Sequence, residues 1–152
     1  MPPLPLWTIG YEAAGFATFL ATLQDAGITM VLDVRDLPLS RRAGFSKRIL
    51  AASLAAAGIG YVHLKSLGTP KEGRLAARRG DYLLFWAIVE ARLGTPEAER
   101  DLHQAADLAR HQPTALLCFE ADPAKCHRRR VGQLLSERFG FSIRDLLVPL
   151  GA

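Results

Sequence analysis

The segment Thr29–Val34, Thr-Met-Val-Leu-Asp-Val, is apolar and largely β-branched at nearly every position. A strand with one wet face alternates apolar with polar residues, whereas a strand apolar throughout must be covered on both faces. Strands of that kind belong to parallel sheets sandwiched between helices. The one charge in the segment, Asp33, falls near its C-terminal end.

The rest of the chain fits that frame. Leu6–Ile9 reads as a first strand ending at Gly10, Ile59–Leu64 as a third, Thr114–Phe119 as a fourth and Ser142–Leu146 as a fifth. Between them, Phe16, Phe19, Leu20 and Leu23 recur at helical spacing before Gly27. Ser46 can cap a second helix with Leu50, Leu54 and Ala57 inward and Gly58 as its stop. Asp81–Arg92 predicts a buried helix, Thr95-Pro96 opens another, and Lys125–Phe139 predicts the last. Arg35–Phe45 and Lys65–Gly80 predict loops. At 152 residues, without repeat or linker, residues 1–152 make one domain. The fold class is α/β: a single three-layer, Rossmann-like domain with a mostly parallel sheet of four or five strands.

Composition narrows the setting. Two cysteines cannot build a disulfide framework, the first residues lack the pattern of a secretory signal, and the longest uncharged apolar run, Ile49–Val62, is too short to span a bilayer. A reducing cytoplasm and no membrane partner are expected. The net charge is +4, and fifteen of the nineteen basic residues are arginine. A GC-rich genome or a thermophilic host explains such a bias. So does recognition of phosphate or carboxylate by the guanidinium fork.

Parallel strands deliver Gly10 and Tyr11, Asp33 and Arg35, Leu64 and Lys65, and Glu120 to one edge of the sheet, where open α/β sheets bind ligands. The loop after Arg35 adds Ser40, Arg41, Arg42, Phe45, Lys47 and Arg48 just before a helix N-terminus, a setting that favours an anion. Asp33 is a candidate acid/base group or a carboxylate satisfied by neighbouring N–H groups. After Glu120 comes Cys126-His127-Arg128. If the last helix begins at Pro123 or Ala124, His127 and Arg128 face the sheet edge while Cys126 points aside. Cys126 is then either a packed small residue or a nucleophile.

Several chemistries are excluded. Gly132 stands where a Cys-x5-Arg phosphatase loop needs arginine, and there is no Cys-x-x-Cys, Walker, Gly-x-Ser-x-Gly or dinucleotide motif. Cys118, Cys126 and His127 have unusual spacing for metal ligands, so no metal is expected, and no cofactor is assigned.

Thr8-Ile-Gly-Tyr-Glu12, Val31-Leu-Asp-Val-Arg35, Pro38 to Lys47, Gly58 to Leu64, Leu67-Gly-Thr-Pro70 and Leu117 to Arg128 occur in the order found in the DUF488 family of small prokaryotic α/β proteins, which the chain resembles. Many members carry histidine where this chain has Tyr11, which argues against a universal catalytic histidine there. The resemblance implies the fold and a recurring polar set of Asp33, Arg35, Ser40, Arg41, Phe45, Glu120, Cys126, His127 and Arg128, but no reaction.

The leading expectation is an enzyme for an anionic, phosphate-bearing or nucleotide-like small molecule. Arg35, Ser40, Arg41, Arg42 and Arg128 would hold the anion, with Asp33, Glu120, His127 and Cys126 as catalytic candidates and Gly10, Tyr11 and Phe45 lining the pocket. The rival is a nucleic-acid-binding or accessory module without turnover, favoured by a pI near 9.4. The chain is expected as a monomer, or as a homodimer through Tyr82–Val89.

Overall fold

The strands are β1 (Pro5–Gly10), β2 (Met30–Asp33), β3 (Gly60–His63), β4 (Thr114–Cys118) and β5 (Ser142–Leu146). In the computed structural model, which describes residues 2–149, they form one sheet ordered β3-β2-β4-β1-β5. Every pairing is parallel, with Gly10 beside Cys118 and Asp33 beside both Leu117 and His63.

The helices α1 (Phe16–Asp25) and α2 (Lys47–Ala56) carry the chain from β1 out to β3. The helices α3 (Lys71–Arg78), α4 (Tyr82–Leu93), α5 (Pro96–His111) and α6 (Arg128–Phe139) bring it back through β4 to β5. Right-handed crossovers running in opposite directions place their helices on opposite faces. Two cores result. Ile9, Val31, Ala115 and Leu117 pack under Phe19, Leu23, Leu50 and Leu54 of α1 and α2. Leu6, Leu32, Val34 and Leu116 face Ala76, Phe85, Leu102, Val131 and Leu135 of α3 to α6. The connection from β1 leaves to one face and that from β4 to the other. The switch point of the sheet therefore lies between β1 and β4, at Gly10 and Cys118.

This is the expected three-layer α/β fold, with three local differences. Residues 65–80 are not a loop: a 3₁₀ turn at Lys65–Leu67 precedes α3. That helix is short and arginine-bearing, and only Gly73 and Ala76 are buried, so no apolar stripe announces it. Expected to be buried, α4 turns only Phe85, Val89 and Leu93 inward and leaves Leu83 89% exposed, because it lies on the outer side of the layer. The last helix starts three residues later than predicted. A 3₁₀ turn at Pro123–Lys125, capped by Asp122 accepting from the Ala124 amide, ends in an extended Cys126. At its other end, left-handed Gly140 closes α6.

No described helix is long and apolar enough to cross a membrane.

The β1–β4 junction is intolerant of volume. A Cβ on Gly10 would lie 1.8 Å from the Glu120 carbonyl oxygen, a fixed backbone atom. Gly10→Ala should therefore destabilise the protein by about 3 kcal/mol, the upper range for overpacking. Gly94→Ala, whose Cβ meets nothing closer than 3.5 Å, should change stability little. Paired urea denaturation curves compare the two, and equal midpoints would contradict the close approach.

Candidate active site at the C-terminal sheet edge

Side chains alternate along a strand, so neighbouring residues at the ends of the strands serve opposite faces. Tyr11, Asp33 and Arg35 belong to the α1/α2 face, whereas Thr8, Cys118 and Glu120 belong to the α3–α6 face. The candidate residues thus divide into two polar clusters, separated by the sheet itself.

On the first face, Asp33 is fully buried and bonded through both carboxylate oxygens. Oδ1 accepts from the Arg35 amide at 3.1 Å and from Arg35 Nε at 2.8 Å. Oδ2 accepts from Arg35 Nη2 at 2.7 Å and from the Tyr61 hydroxyl. Arg35 Nη1 donates to the Tyr11 hydroxyl at 3.0 Å and to the Phe45 carbonyl at 2.8 Å. Burial opposes the guanidinium charge, but Asp33 more than offsets it and Arg35 is held above its ordinary pKa. Burial and then the Asp33 carboxylate push the Tyr61 phenol up as well. Tyr11 stacks on buried Phe45 with ring centroids 4.4 Å apart. Asp33, Arg35, Tyr11 and Phe45 are therefore engaged with one another, and pin the 35–46 loop to the sheet.

That loop is also tied to itself. Ser46, at the N-cap of α2, makes no cap bond; its hydroxyl accepts from the Ser40 amide and donates to the Ser40 carbonyl. Ser40 Oγ accepts from the Arg42 amide, and the Arg42 guanidinium donates to the Ala14 carbonyl. Arg41, Lys47 and Arg48 remain exposed, pointing their charges to solvent.

On the second face, Arg128 is fully buried. Its Nε donates to Thr8 Oγ1 at 3.2 Å, Nη1 to Cys118 Sγ at 3.1 Å and to the Glu120 carbonyl, and Nη2 to the Ala121 carbonyl at 3.2 Å. The Thr8 hydroxyl in turn donates to Asp145 Oδ1. Burial pulls the Arg128 guanidinium below its ordinary pKa. The Glu120 carboxyl lies 3.4 Å from Cys118 Sγ, and burial pushes its pKa up. His127 Nε2 donates to the Val34 carbonyl at 2.6 Å, leaving Nδ1 3.8 Å from Cys126 Sγ.

Cys126 is extended rather than helical, so it points inward and is fully buried, contrary to the aside-facing direction that helical spacing predicts. Its sulfur accepts from the Arg128 amide at 3.4 Å and meets Cys118 Sγ in bonding contact. That pairing was not anticipated, and neither were Thr8, Tyr61 and Asp145. A buried threonine in an otherwise apolar strand was the available signal for Thr8. Gly10 closes the cluster by letting the Glu120 carbonyl approach.

Cys118, Glu120, Cys126, His127 and Arg128 thus meet at the switch point, while Asp33 and Arg35 lie across the sheet. Above the switch point the two loops are joined, the Glu12 amide donating to the Phe119 carbonyl at 2.8 Å and the Ala121 amide to Glu12 Oε1 at 3.1 Å. Shallow hollows of about 210 and 190 Å³ flank α6, sharing Arg129 and Gln133. Residues 16–135 match the family described as Domain of unknown function DUF488. The chain belongs to the DUF488 family. No curated protein and no solved structure matches it. Five of the six segments that carried the resemblance lie wholly inside the matched region of this DUF488 protein; the sixth, Thr8–Glu12, precedes it and supplies Thr8 and Gly10 to the site.

Burial lowers the His127 imidazole from 6.5 to about 4. The unfolded chain takes up this proton near pH 6.5, and the folded chain refuses it until about pH 4. The contribution of His127 to stability therefore falls as pH drops through that window, by about 3 kcal/mol in all, and is constant below it. Denaturation free energies measured in metal-free buffer should fall less steeply with acid in His127→Gln than in wild type. Parallel slopes would show that another group carries the dependence.

Proposed function

We propose that this DUF488 protein is a cytoplasmic enzyme acting on an anionic, phosphate-bearing or nucleotide-like small molecule at the C-terminal edge of its sheet. The observation that carries the reading is Glu120. A carboxyl that burial makes hold its proton to higher pH than an exposed one stands at the switch point of the sheet, the direction of shift that suits a general acid. Arg41 in the 35–46 loop and Lys47 and Arg48 at the start of α2 face solvent, and the loop is held to the same edge through the Tyr11–Phe45 stack. They would collect the anion, while Arg35 and Arg128, with their donors engaged inward, keep the frame rigid.

A thermal-shift series of inorganic phosphate, nucleotides and sugar phosphates tests the binding step. A ligand present about 100-fold above its Kd stabilises the protein by about 2.7 kcal/mol. Arg41→Ala should abolish that shift. Glu120→Gln should keep the shift and slow turnover of the stabilising ligand by about 100-fold or more. Equal shifts in wild type and Arg41→Ala would remove the loop from the site. Stabilisation by oligonucleotides alone, collapsing steeply with salt, would replace the enzyme reading with a nucleic-acid-binding module.

A further inference from the structure

Cys118, Cys126 and His127 come from the end of β4 and from the turn before α6, and all three are buried. Their donor atoms, two sulfurs and one ring nitrogen, lie within 4.8 Å of one another. We infer that, in the reduced protein, these three side chains bind a zinc ion, with the fourth coordination position opening toward Glu120.

Four features of the cluster support this assignment. The Cα atoms of Cys118 and Cys126 are 7.5 Å apart. Directly bonded cysteines usually span about 4.4–6.8 Å, so this backbone holds the pair wider than a sulfur–sulfur bond favours. Two thiolates on one tetrahedral zinc, each at about 2.3 Å, place their sulfurs about 3.8 Å apart, which the wider spacing accommodates.

His127 is presented as a metal ligand is. Its Nε2–H donates to the Val34 carbonyl, an acceptor only, which fixes the proton on Nε2 and turns the Nδ1 lone pair toward the sulfurs. The distance from Nδ1 to Cys126 Sγ is 3.8 Å, close to the roughly 3.5 Å expected between nitrogen and sulfur ligands of one zinc.

The surroundings are also those of thiolates. Arg128 Nη1 approaches Cys118 Sγ at 3.1 Å, and the Arg128 amide approaches Cys126 Sγ at 3.4 Å. Each sulfur thus has an N–H donor suited to a negative atom. Finally, two thiolates neutralise one divalent ion, and the buried guanidinium of Arg128 is offset in turn by the Asp145 carboxylate, to which Thr8 links it. A thiolate pair with imidazole selects zinc over magnesium or calcium.

The inference does not depend on the anion site, and the test separates the two. The reduced full chain is titrated with zinc against a chromophoric chelator, and with cobalt(II) as a spectroscopic stand-in. Thiol reactivity is counted with and without the ion. One ion per chain is expected, with thiolate-to-cobalt charge-transfer absorption, tetrahedral ligand-field bands and both thiols protected. Cys118→Ser, Cys126→Ser and His127→Asn should each weaken zinc by more than about 100-fold, beyond the loss of an outer partner, while Arg41→Ala binds normally. No uptake by the folded, reduced wild type would overturn the site, as would uptake that leaves both thiols reactive. These two wild-type readouts decide the matter even if a cysteine variant fails to fold.

Discussion

A buried guanidinium keeps its charge only if its N–H groups find acceptors inside the protein, and Arg128 finds them on three separate pieces of chain. It reaches Thr8 on β1, Cys118 on β4 and the carbonyls of Glu120 and Ala121 in the following loop, from the first turn of α6. Gly10 must lack a side chain for that loop to close over β1. The positions of Cys126 and His127 follow, since they are the two residues that lead into Arg128. Truncating this side chain would leave several buried acceptors without donors, a cost larger than the packing it removes.

The opposite face repeats the device with a different pair. Asp33 and Arg35 neutralise each other two residues apart, and the spare donors of Arg35 hold Tyr11 and the Phe45 carbonyl. A convergent catalytic set had been expected from the fact that all these residues emerge at one edge. The pleat divides them: odd-numbered residues of β2 face α1 and α2, and Val34 between them faces α6. Emergence at one edge determines height above the sheet, not the face.

Much of the fold was legible because its signals are local. Continuous apolar strands, a proline-led α5 and glycine stops mark their own boundaries in Leu6–Gly10, Thr95–Pro96 and Gly58. The short α3 was not legible, since Gly73 and Ala76 bury almost no apolar surface and Arg74 instead pairs with Asp36. The Cys126 direction was lost for a related reason: one 3₁₀ turn capped by Asp122 shifts the helix start by three residues, and helical spacing then assigns the wrong side. Glu120, His127 and Arg128 were found because polar residues crowd the end of an apolar strand. Their partners Thr8 and Asp145 required knowing that β1 lies between β4 and β5.

Residue 34 joins the two faces. Its carbonyl is bound by His127 at 2.6 Å, while its amide donates to Leu117 at 3.0 Å and its neighbours on either side form the Asp33–Arg35 pair. The loop bearing Arg41 therefore hangs from the same peptide that steadies the imidazole. Any force that draws His127 away from β2 must either break that bond or tilt the peptide, and tilting it moves the root of the loop. The Val34–Arg35 peptide thus ties the imidazole of one face to the root of the loop on the other.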